Sequence, residues 1–126
     1  MLPVTSDPME ITVAPPNSII FVNDPTSEVE IPQDIGRGLV WATDTCVAIG
    51  TLAEMDGETT IRLARDFPTP QGEVIYEGTI KTPGRLVAIS TSEGVPLLSL
   101  TTGRESRLTV WANDSSEPDL ILVRAL

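Results

Sequence analysis

The chain has 126 residues, 18 acidic and 8 basic, for a formal net charge of −10 at pH 7, with one cysteine and no histidine. A single cysteine excludes an internal disulfide framework, and the lack of histidine excludes Ser-His-Asp catalysis and removes the commonest metal ligand. The length suits one domain with a core that needs no covalent staples.

In chain order, Met1 to Val13 has no basic segment followed by an apolar run, and no run in the chain is long enough to cross a bilayer. The expectation is a soluble, cytoplasmic protein with a mobile opening segment of about residues 1–8. Met9 to Val13 reads as a short edge strand, because Pro8 and Pro15 bracket it. Ser18 to Val22 reads as a second strand, stopped by the turn signal Asn23-Asp24-Pro25. Residues 24–38 read as a loop holding Pro25, Pro32, Gly36 and Gly38, with Glu28 to Ile31 alternating as a brief edge strand.

The strongest local signal lies between Leu39 and Phe67. Cys46 to Leu52 is apolar, Thr59 to Ala64 alternates, and Asp56-Gly57 between them is a dipeptide that tight hairpin turns favour. Two antiparallel strands joined at Asp56-Gly57 are therefore expected. Cys46 reads as a small buried side chain, since a reactive thiol needs a neighbouring cation or histidine.

Further strands follow at Glu73 to Ile80, Arg85 to Ser90, Pro96 to Leu100, Ser106 to Ala112 and Asp119 to Leu126, separated by Gly, Pro, Asn and Asp turns. Nine or ten short strands at such spacing, with no helical periodicity, predict an all-β fold. The expected architecture is a two-sheet antiparallel β-sandwich, jelly-roll-like, in a single domain.

Charge is uneven. Residues 1–34 hold six acids and no base, so they carry −6 of the −10. An acidic surface repels nucleic acid and anionic membranes and suits a basic protein partner, although acidity by itself also serves solubility. The candidate binding surface draws on Asp24, Glu28, Glu30 and Asp34. Trp111 shares parity with Arg107 and Thr109, against Leu108 and Val110, and is a candidate anchor on the outward face. No catalytic constellation is recognisable and no cofactor is expected. Two acidic clusters, Glu54, Asp56 and Glu58 and then Asp114, Glu117 and Asp119, keep open a small-molecule- or metal-binding sandwich, though neither has the EF-hand pattern. A third reading is a homo-oligomer, a homodimer pairing through an edge strand such as Ile19 to Val22.

An opening strand pair (ITV…IIFVND), a central segment with tryptophan (GLVWATDTCVAIGT), a late strand with tryptophan (RLTVWANDSSEPD) and a final apolar strand (LILVRAL) together resemble the small acidic competence-operon proteins that inhibit a DNA-entry nuclease. The resemblance implies a β-sandwich that binds a protein and has no catalysis of its own. Its negative charge would mimic nucleic acid and be steered to a basic nuclease cleft.

Overall fold

Among the described residues, ten strands form where β-branched and aliphatic residues alternate or cluster between turn residues. The structure, a computed structural model, describes residues 9–33 and 38–126. The strands are β1 (Met9–Val13), β2 (Ile19–Asn23), β3 (Val40–Ala42), β4 (Cys46–Gly50), β5 (Thr59–Ala64), β6 (Glu73–Lys81), β7 (Leu86–Thr91), β8 (Pro96–Thr101), β9 (Glu105–Ala112) and β10 (Leu120–Ala125). They make two sheets of five, ordered β1-β5-β10-β9-β6 and β3-β4-β2-β7-β8. The two-sheet sandwich and single domain match the pattern in the sequence. The pairs are antiparallel except β5 and β10, which run parallel.

The core lies between the sheets. Ile20, Val22, Val47, Ile49, Val87 and Ile89 from one sheet meet Ile61, Leu63, Ile80, Leu108, Val110, Ile121 and Val123 from the other, all fully buried. Each such side chain contributes about 1.5–3 kcal/mol on leaving water. A smaller cluster of Ala64, Phe67, Trp111 and Leu122 sits on the outer face of the first sheet, beneath the segment that joins β5 to β6.

Three expectations need correction. Asp56-Gly57 does not close a hairpin, because β4 and β5 belong to different sheets. The turn itself forms, with the Asp56 N–H on the Ala53 carbonyl and Gly57 at φ 146°. But β4 already has β2 and β3 beside it, so the chain crosses from one sheet to the other. Glu28 to Ile31 is not a strand. The Glu30 N–H and carbonyl bond instead to the hydroxyls of Thr45 and Thr43, so side chains satisfy that backbone and no ladder is needed. Ile19 to Val22 is not an edge: β2 lies mid-sheet, with β4 and β7 taking its two sides. It therefore cannot pair with a second copy. The opening segment 1–8 lies outside the described residues.

The registers define two ends. β1, β4, β7 and β9 finish at the same end, where loops 14–18, 51–58, 92–95 and 113–119 leave the sheets. Turns 43–45, 82–85 and 102–104 lie at the other.

Candidate functional site: an acidic end of the sandwich

The four loops at the first end are laced to one another. The Thr51 N–H donates to the Ser18 carbonyl at 2.9 Å, and the Leu52 N–H donates to the Pro118 carbonyl at 2.8 Å, across the two sheets. The Asn17 N–H reaches Glu54 Oε1 at 3.2 Å, and the Glu54 N–H reaches Ser18 Oγ at 3.2 Å. Asn17 Nδ2 donates to Ser92 Oγ at 2.9 Å. Asn17 and Ser18 hold φ values of 60° and 56° to make these bonds, a conformation uncommon outside glycine.

On this frame sit Glu54, Asp56, Glu58, Glu93, Asp114, Glu117 and Asp119, with Glu73 at the adjoining start of β6, opposite Ala112. All eight are exposed. No described base shares the end. Arg62 and Arg124 lie along β5 and β10, while Arg65, Lys81, Arg85, Arg104 and Arg107 lie towards the opposite end. Most of the molecule's net negative charge is thus gathered on one rigid surface. Such a one-signed surface raises the local concentration of cationic partners and their rate of encounter.

Asp114 shows how the loops hold these charges. Its Oδ1 accepts the N–H groups of Glu117 and Ser116, at 3.0 and 2.8 Å, and the Ser116 hydroxyl at 3.0 Å. These bonds, the Glu117 N–H foremost, keep its carboxyl below the ordinary value of 3.8, so it stays ionised among like charges. Asn113 clamps the same loop: its Nδ2 donates to Asp119 Oδ1 at 2.6 Å, and its Oδ1 accepts the N–H groups of Asp119 and Leu120. Met55, 95 % exposed, stands between Glu54 and Asp56 at the tip.

The residues expected to form the surface lie elsewhere. Asp24 is fully buried, its carboxylate taken up by Thr26 and Gly84. It is a structural pin and not part of a surface. Glu28 and Glu30 are exposed, but the segment carrying them is tied to the 43–45 turn at the opposite end. Asp34 lies outside the described residues. Trp111 points outward as its parity required, yet Phe67 covers it edge-on at 5.9 Å and the Arg124 guanidinium lies 5.4 Å from its ring centroid. With 8 % of its surface exposed, Trp111 is no free anchor. Among the described residues, no three metal-ligating side chains converge, so the acidic clusters at 54–58 and 114–119 do not form a metal cage. Those clusters were visible in the sequence; Glu73 and Glu93 carried no signal, because only strand direction brings them to the same end.

No helix among the described residues is long and apolar enough to cross a membrane. No family model matches the sequence, and no curated protein matches it. Among solved structures, the fold is similar to the crystal structure of ComJ, inhibitor of the DNA degrading activity of NucA, from Bacillus subtilis. The likeness has a TM-score of 0.63 and covers 94 % of this chain and 93 % of ComJ, at 14 % sequence identity. The strand order that resembled the competence-operon inhibitors in sequence is thus matched in three dimensions, at the level of the fold.

Proposed function

We propose that this chain is a non-catalytic binding protein that restrains a basic partner, a DNA-degrading nuclease being the partner whose chemistry fits best. The observation that carries the reading is the laced end on which eight exposed acids stand with no described base. A nuclease cleft is shaped to receive a polyanion, and a rigid array of carboxylates competes for it without offering a bond to cleave. The fold shared with an inhibitor of a nuclease supports the same direction.

The test is a titration of the DNA-degrading activity of NucA with this protein at low ionic strength. Wild type is expected to lower the activity. A variant with Glu54→Lys, Asp56→Lys and Glu58→Lys is expected to need at least about tenfold more protein, since losing 1.4 kcal/mol of binding is tenfold in Kd. Salt is expected to weaken wild type far more than the variant. Unchanged nuclease activity at saturating protein, or inhibition indifferent to the triple reversal, would overturn the reading.

A further inference from the structure

Strand β6 is the longest of the ten described strands and lies at a sheet edge, paired with β9 along one side. Its backbone directions can be read at its end. The Thr82 N–H donates to the Arg104 carbonyl on the β9 side, whereas the Lys81 N–H donates to the Asp44 carbonyl on the other, both at 2.8 Å. Backbone groups alternate along a strand. Glu77 and Thr79 therefore turn their N–H and C=O groups away from β9, where no strand among the described residues receives them.

The open stretch is bounded on both sides. Asp44 occupies Lys81, and a shift of register between Val74 and Tyr76 breaks the ladder at the other limit. Tyr76-Glu77-Gly78-Thr79-Ile80 remains, a window centred on Gly78. The other edges differ: β3 has three residues, while β1 and β8 approach one another across the sandwich.

We propose that this window is a self-pairing edge, through which two copies of the chain join antiparallel about a two-fold axis at Gly78 into one continuous ten-stranded sheet. The window is complementary to itself. With Gly78 opposite its own copy, Glu77 and the partner's Thr79 exchange both backbone hydrogen bonds, and the reciprocal pair does the same. Glu77, Thr79 and Lys81 share the outer face, and Glu77 and Lys81 are exposed. The Thr79 hydroxyl thus donates to the partner's Glu77 carboxylate, and Lys81 is its diagonal neighbour of opposite charge. In this register Tyr76 stands opposite the partner's Ile80, whose side chain stays in its own core. Gly78 occupies the close, non-hydrogen-bonded position, where backbones come within about 4.5 Å. A Cβ there would press on the Tyr76 hydroxyl, so a larger residue would have to move that ring.

Each copy carries −10, so the two repel at a distance, and association is favoured once salt screens that repulsion. The experiment is sedimentation equilibrium from micromolar to millimolar protein, at low salt and at about 1 M sodium chloride, where the screening length is about 3 Å. The mean mass is expected to climb from 13.5 kDa towards twice that value, further at high salt. Thr79→Pro removes an N–H that β9 does not use, at a position where edge strands tolerate proline. It is expected to stay at one chain's mass with unchanged far-ultraviolet dichroism. Glu77→Lys is expected to weaken association about tenfold, and Glu77→Lys with Lys81→Glu to restore it. A one-chain mass at millimolar protein in high salt, a dimer indifferent to Thr79→Pro, or a charge swap that fails to restore association would each overturn the proposal.

Discussion

Asp24 is the side chain on which the end opposite the acidic surface depends. Burial alone would raise its pKa, but bonds from the Thr26 hydroxyl, the Thr26 N–H and the Gly84 N–H outweigh it and hold the carboxyl below 3.8. A lowered folded-state pKa stabilises the protein above the unfolded value and loses that contribution as pH falls through the folded one. Urea midpoints are therefore expected to drop for wild type as pH falls below about 4, with Asp24→Asn lacking that component. At neutral pH, Asp24→Ala is expected to lower unfolding stability by roughly 2–3 kcal/mol, because two backbone donors and a hydroxyl lose a charged acceptor. Cys46 is the opposite case. Burial pushes its thiol up to about 12, so it should resist alkylation at pH 8 until the chain unfolds, which a thiol-reactivity assay with and without denaturant checks. Asp24 was legible only as a turn residue. Its burial depends on Gly84, sixty positions away, and no local pattern reports that.

Between β5 and β6 the chain returns along the outer face of the first sheet, and Phe67 and Gly72 decide its path. Phe67 drops onto Trp111 and closes the outer cluster. Truncating either ring to alanine is expected to cost about 3–5 kcal/mol, measured by urea unfolding. Gly72 passes so close to β9 that a Cβ would collide with the Ala112 carbonyl, at a φ of 88° that side chains avoid. Gly72→Ala is expected to destabilise the fold by about 1–3 kcal/mol and to loosen the start of β6, where Glu73 joins the acidic end. The period-two pattern of β9 announced that Trp111 faces outward. It could not announce a cover supplied by a loop forty-odd residues earlier. For the same reason, the apolar run of β4 and the alternation of β5 located both strands while the pairing between them went to other partners.

Across the whole molecule, charge is distributed by topology. Eight acids from four separate stretches of chain share one end, and their mutual repulsion works against the folded state. The melting temperature is therefore expected to rise by a few degrees as salt increases from about 10 to 150 mM, over which the screening length falls from about 30 to 8 Å. Glu58→Lys should raise it at low salt and leave it nearly unchanged at high salt, a comparison that differential scanning calorimetry makes directly. The exposed Glu10–Arg62 pair, at 2.6 Å, contributes little to this balance.

The sequence by itself determined the fold class. Alternation at a period of two and turn residues at short intervals are local properties, and they locate the ten strands and the face that each turns to the core. It also determined the net charge and the exclusion of histidine chemistry, since these follow from composition. Which strands pair, which edge stays open and which acids meet were decided only by the tertiary structure. Each depends on the direction in which a strand enters its sheet, and residues far apart along the chain settle that direction together through the core they bury.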